Sequence, residues 1–182
     1  MQYLHRNCKH IEFDISNTDI MYQHGDYLGV YPKNDIILVE KLAKYCGFDL
    51  DAHFSLSDAG LSELAPKIPH FFANPCTVRD ALLSYCDLTK PPRRTMLKKM
   101  AEMAKDEEDK KRLLQLATSD PSGRSRTLFE KAVYYKNMLQ LLAEFPSVEL
   151  SFENILELTP ALQCRYYSIS SSPHVRNILT MR

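Results

Sequence analysis

The stretch RYYSISSS, Arg165 to Ser172, decides the fold, because it returns the chain to strand-forming residues after a long block of helical periodicity. In an extended strand Arg165 and Tyr167 share one face, and Ser168 takes the other. A guanidinium can grip phosphate oxygens while a phenol ring beside it lies against a flat ring system, and a serine hydroxyl both donates and accepts a hydrogen bond. The strand thus carries a charge clamp, a stacking plate and a polar contact. The plainer alternative is a serine-rich turn behind tyrosines that serve only packing. For Tyr134, Tyr135, Tyr166 and Tyr167 spacing alone leaves both readings open.

The other end of the chain has the same character. CKHIEFDI at 8–15 alternates, with Ile11, Phe13 and Ile15 on one side and His10, Glu12 and Asp14 on the other, which predicts a half-buried strand. A turn at 16–19 follows, then a short extended run over 20–22 that Gly25 and Asp26 break, then a strand over 27–31 that Pro32 stops.

Between these strands the period is helical. Asn34 or Asp35 can cap a helix carrying Ile36, Ile37, Val39, Leu42 and Ala43 that ends near Gly47. A short helix is expected over 57–64; Pro66, Pro69 and Pro75 then impose a connection before a helix capped by Thr77 and running to Tyr85. The charged stretch 95–117 predicts a helix broken near Asp106, with Lys and Glu on a solvated face. A helix over 127–145 carries the stripe Leu128, Ala132, Val133, Leu139, Leu142, Ala143 and Phe145, and Pro146 stops it. Ser151 can cap a last helix with Ile155, Leu158 and Leu162, although Asn154 stands where a capping box has Glu or Gln. Strands, a helical block and a strand again predict an α+β chain, a β domain with a helical insertion.

Composition narrows the function. The chain has 182 residues, 23 Lys+Arg against 23 Asp+Glu, a formal net charge of +0 and 45% hydrophobic residues, which excludes a disordered polyelectrolyte and gives no field for nucleic acid or acidic lipid. No run approaches the roughly 20 apolar residues a bilayer span needs, and MQYLHRNCKH has no signal-like apolar core, so a soluble segment without membrane contact is expected. The 5 cysteines are dispersed, with no C-x-x-C, and read as free thiols of a reducing compartment. Neither G-x-G-x-x-G nor G-x-x-x-x-G-K-[ST] occurs among only 5 glycines. His5, Cys8 and His10 offer metal-binding atoms, but in a strand they do not converge, so no metal is expected. The serines from Ser168 onward lack a G-x-S-x-G elbow and a nearby His or Asp in order.

RYYSISSS resembles the first flavin-binding signature of the ferredoxin reductase type FAD domain of diflavin reductases. YQHGDYLGVYPKND at 22–35 resembles the G-D-H-x-x-V-Y-P-x-N strand and turn of that family, and PCTVRDALLSYCDLTKPPR at 75–93 its connecting-domain helix. With CKHIEFDIS at 8–16 and GFDLD at 47–51, the chain is most similar to the NADPH-haemoprotein (cytochrome P-450) reductases. Nitric oxide synthase reductase regions share GDYLGVYP and RYYSISSSP but resemble 8–16 less.

The resemblance implies a partial antiparallel FAD-binding β-barrel at 1–33, a mostly helical connecting domain at 34–162, and the barrel resumed at 163–182. It implies that Arg165 binds the FAD pyrophosphate, that Tyr166 and Tyr167 line the FAD, and that Ser168 sits by the flavin N5 as the catalytic residue, placing the nicotinamide and stabilising hydride transfer. Arg6 matches an arginine that contacts NADPH. The resemblance further implies that in the parent protein NADPH gives hydride to FAD and electrons pass through FMN to cytochrome P-450 or another haem protein at the cytoplasmic face of the endoplasmic reticulum, with FMN and NADPH bound mainly outside these residues. Tyr27 replaces the His of G-D-H, Tyr135 stands where the family has an arginine, with Lys136 beside it, and HVRNILTMR after Pro173 does not continue as the expected apolar strand. The second FAD motif, the NADPH-binding domain, the FMN domain and the anchor are expected outside the chain. With half a barrel and exposed strand edges, the chain alone is expected to retain FAD weakly or not at all, and to be inactive. From a different class, a truncated non-catalytic interaction module is the remaining alternative.

Overall fold

Antiparallel pairing joins the two ends of the chain. The computed structural model describes residues 9–56, 74–118, 133, 136–172 and 178–181. Strand β1 (Ile11–Asp14) pairs with β6 (Ile178–Met181), and β2 (Tyr27–Val30) pairs with β5 (Arg165–Ser168). These ribbons belong to one compact unit, Met1–Pro32 with Gln163–Arg182, and the remainder, Lys33–Leu162, is a second. The α+β class is observed; among the described residues the strands form three two-stranded ribbons and no closed barrel.

Strand β6 corrects one expectation, since residues 178–181 do continue as a strand, with Leu179 buried opposite Phe13. Ile11 and Phe13 lie on one side of β1 as the alternation required, but they remain 37% and 39% exposed. The extended run expected over 20–22 is not a paired strand. Tyr22 at its end bonds to Ser171, and just beyond it the Gln23 N–H donates to Asp26 Oδ2 at 2.7 Å.

The second unit is built on helix caps. Helix α1 (Ile36–Cys46) starts where Asp35 accepts from the Ile37 N–H and ends at Gly47, whose φ of 74° suits a residue without Cβ. Thr77 caps α2 (Val78–Ser84) by accepting from the Asp80 N–H. The charged stretch breaks into α3 (Arg94–Met103) and α4 (Glu107–Ala117), because Asp106 turns out of the helix and accepts from the N–H groups of Glu108 and Asp109.

The helix expected over 127–145 does not run through. Val133 is helical, but Asn137 is extended and opens α5 (Met138–Glu144) with a capping box to Gln140, so local capping overrides the apolar stripe. Residues 127–132, 134 and 135 of that expectation, and the whole helix expected over 57–64, lie outside the described residues. Ser151 caps α6 (Phe152–Leu158), and Asn154 completes the box after all: its shorter side chain reaches the Ser151 N–H at 3.0 Å. A two-residue ribbon, β3 (His53–Phe54) with β4 (Cys76–Thr77), has no counterpart in the sequence reading; Phe54 packs edge-on against Phe152 at 4.9 Å. Leu42, Leu82, Leu97, Leu113, Leu142 and Phe145 are fully buried in the common core.

The C-terminal end of α2 gathers both ends of this unit. A helix leaves its last carbonyls without intrahelical partners. Here the Asn34 N–H donates to the Leu83 carbonyl at 2.8 Å, and Asn34 Nδ2 donates to the carbonyls of Leu82 and Cys86 at 2.6 and 2.5 Å. From the other end, the Leu162 N–H donates to the Tyr85 carbonyl and the Asp87 N–H to the Pro160 carbonyl, both at 2.7 Å. Entry and exit are thereby held at one six-residue stretch, 82–87. Asn34 is the single buried polar side chain among the described residues. Replacing it with alanine removes two donors from buried carbonyls, and urea unfolding of Asn34→Ala should show a loss of about 2–4 kcal/mol; a change below about 0.5 kcal/mol would contradict this role.

Candidate functional site

Antiparallel partners place their side chains on the same face, so the β2–β5 register sorts the candidate residues. Tyr27 opposes Ser168, Leu28 opposes Tyr167, Gly29 opposes Tyr166 and Val30 opposes Arg165. One face therefore carries Leu28, Val30, Tyr167 and Arg165; the other carries Tyr27, Gly29, Tyr166 and Ser168. The ribbon brings Arg165 and Tyr167 together, and sets Ser168 beside Tyr166 on the opposite face.

The two faces differ in character. Leu28, Val30 and Tyr167 are half-buried, Arg165 is exposed, and among the described residues Arg165 joins no ion pair. That face offers an apolar bed ending in a cation whose hydrogen-bond fork is available to an anionic ligand. On the other face Tyr27 and Tyr166 are 64% and 72% exposed, with Ser168 exposed between them and the strand end. Tyr27, where the family pattern has His, thus stands directly opposite Ser168.

Gly29 and Cys164 were missed by sequence reasoning. A Cβ at Gly29 would lie 2.8 Å from Cys164 Sγ and 3.4 Å from the Tyr166 ring, so the absent side chain lets the sulfur and the ring close over the strand. A glycine inside a strand pattern was the available signal.

The serine cluster ties the two ribbons of this unit together. The Ile169 N–H donates to the Asp26 carbonyl at 3.1 Å, extending the β2–β5 ladder past Ser168. The Ser170 N–H and hydroxyl donate to the Thr180 carbonyl at 2.8 and 3.2 Å, and the Thr180 N–H donates to Ser171 Oγ at 3.0 Å. Ser170 and Ser171 are thus structural, while Ser168 keeps its place in the ladder with its side chain exposed.

Other candidates separate from this site. Arg6, His5 and Cys8 lie outside the described residues, as do Tyr134 and Tyr135; His10 Nε2 lies 2.9 Å from Glu12 Oε1. Among the described residues no group of three His, Cys, Asp or Glu could hold a metal. Lys136, in the helical unit, is engaged by Glu144, which Arg112 also reaches at 3.2 Å. The described cysteines are free thiols; burial pushes Cys46 up to about 11 and raises Cys76 and Cys86, which keeps them protonated and poorly nucleophilic. No helix among the described residues is long and apolar enough to cross a membrane.

Comparison with known proteins bears on the same residues. The family described as FAD binding domain matches residues 2–178. The NADPH–cytochrome P450 reductase of Musca domestica is 40% identical over 167 residues, covering 92% of this chain and 24% of that protein. The reductases of that name from Cavia porcellus and Homo sapiens are 39% and 38% identical over 170 residues, covering 93% of this chain and 25% of each protein. The chain spans about a quarter of the length of the curated relatives it matches.

The packing at Gly29 yields a direct prediction. Gly29→Ala should lower stability by about 1 kcal/mol through crowding, measured by denaturant unfolding, and Cys164→Ala in the same chain should relieve most of the loss. Equal losses with and without the second change would show that the sulfur does not set the limit.

Proposed function

The chain belongs to the FAD binding domain family, and from that premise we propose that its β2–β5 ribbon holds FAD within an NADPH-dependent diflavin oxidoreductase of the NADPH-haemoprotein reductase type. The observation that carries this reading is the face on which exposed Arg165, in no ion pair among the described residues, adjoins half-buried Tyr167. A pyrophosphate and a flat ring system are the ligand parts that such a pair fits. FAD, when bound, supplies the two-electron chemistry: it accepts hydride from NADPH.

The chain's own residues hold and orient. Arg165 binds the pyrophosphate through its guanidinium fork, Tyr167 lies against the flavin and ribityl chain, and Tyr166 lines the FAD. Tyr166 and Ser168 stand on the other face of the ribbon, and their roles come from the family resemblance: Ser168, the last ladder residue of β5, is the catalytic residue, whose hydroxyl would serve the flavin N5 region with a positioned hydrogen bond that favours hydride transfer over the unreacted state. Arg6 contacts NADPH. In this reading 1–33 and 163–182 are the FAD-binding barrel and 34–162 is the helical connecting domain. The two compact units divided at Pro32 and Leu162 support it. In the parent protein electrons pass through FMN to cytochrome P-450 or another haem protein, at the cytoplasmic face of the endoplasmic reticulum.

The test uses the full-length gene product and equilibrium titration with FAD. Arg165→Ala should weaken FAD binding about 10–100-fold, since charge-assisted bonds to phosphate are among the stronger ones. Arg165→Lys should recover part of it, because an ammonium keeps the charge without the fork. Wild-type affinity in Arg165→Ala, or no saturable FAD binding by the wild type, would overturn the reading.

A further inference from the structure

We propose that Tyr22 is a positioning residue for the FAD site, which acts by pinning the serine turn that follows Ser168 and does not itself touch the flavin; this rests on the FAD reading of the β2–β5 ribbon. Tyr22 lies between β1 and β2 and is half-buried. Its phenol donates to the Ser172 carbonyl at 3.2 Å and lies 2.8 Å from Ser171 Oγ. The phenol has one hydrogen, and Ser172 receives it, so the Ser171 hydroxyl donates to the phenol oxygen. Ser171 Oγ keeps a lone pair for the Thr180 N–H, 3.0 Å away. One chain of bonds thus runs from β6 through Ser171 to Tyr22 and back to the main chain at Ser172.

This chain of bonds sits where the site is most exposed to error. Ser168 is the last ladder residue of β5, opposite Tyr27. Beyond it the Ile169 N–H still bonds the Asp26 carbonyl, and the main chain then turns to Thr180 through Ser170. Hydrogen bonds weaken steeply as angles open. A hydroxyl that must meet one atom of a bound ring therefore depends on the peptide units just after it. Tyr22 holds the Ser171 side chain and the Ser172 carbonyl of that turn from a different part of the chain.

Tyr22→Phe and Ser171→Ala, separately and together in the full-length gene product, test the proposal by FAD titration and by visible circular dichroism of the bound flavin at saturating FAD. Each single variant removes two hydrogen bonds of the turn, should weaken FAD about 5–10-fold through the loosened main chain, and should alter the flavin dichroism. The spectrum reports geometry in folded, fully loaded protein, which a loss of global stability alone would not move. The double variant should lose less than the sum of the two single losses, because the phenol and the hydroxyl share one bond while each keeps a second of its own. Wild-type affinity and dichroism in Tyr22→Phe, or additive losses in the double variant, would overturn the proposal; should Tyr22→Phe not fold, the same result in Ser171→Ala decides it. Arg165→Ala, measured beside them, separates the two readings. If Arg165→Ala loses FAD and Tyr22→Phe does not, the FAD reading stands and the role of Tyr22 falls. If the wild type takes no FAD, or Arg165→Ala binds it unchanged, both fall.

Discussion

The four-residue ladder between β2 and β5 joins segments that the whole helical unit separates in sequence. Closing so long a loop in a flexible chain costs entropy that a short ribbon does not repay. The cost falls when the intervening residues are already folded with their two ends together. The C-terminal end of α2 provides this: its orphan carbonyls take the Asn34 side chain and N–H from one end and the Leu162 N–H from the other. A helix-capping problem and a loop-closure problem are solved by the same atoms. Asn34 is an amide for a physical reason, since its NH2 group can donate to two carbonyls at once and a carboxylate could not.

The chemistry follows from the register of that ladder. A slip of one residue would exchange the faces, sending Arg165 and Tyr167 to the side now occupied by Tyr166 and Ser168. Gly29 helps to fix the register because the Cys164 sulfur and the Tyr166 ring close over it and over no residue with a Cβ. Beyond the ladder, Ser170 and Ser171 bind the turn to Thr180 of β6. The cluster that looks like low complexity in sequence therefore divides by function: Ser168 keeps an exposed side chain, and its neighbours hold the main chain.

How much of this was legible in the sequence depends on how local the cause is. Asp35, Thr77, Asp106 and Ser151 each satisfy backbone donors two or three residues away, and all four were readable as caps or breaks. The same physics was misjudged at Asn137, where a capping box divides an apolar stripe that looked continuous, and at Asn154, whose amide serves where a longer side chain is usual. Strand β6 was missed because its partner lies at the far end of the chain. The alternation of Arg165, Tyr167 and Ser168 was visible, since a strand's period is intrinsic. Their partners were not: that Tyr27 faces Ser168, that Tyr22 reaches Ser171 and that Asn34 reaches Cys86 depend on the fold as a whole.

FAD held on a ribbon whose strands come from the two ends of the chain would shield two segments far apart in sequence. Hydrogen–deuterium exchange of the full-length gene product, with and without FAD, tests it most directly. FAD should slow amide exchange in both Tyr27–Val30 and Arg165–Ser168 while α3 and α4 exchange as before. Protection by FAD elsewhere in the chain, with those two strands unchanged, would contradict it.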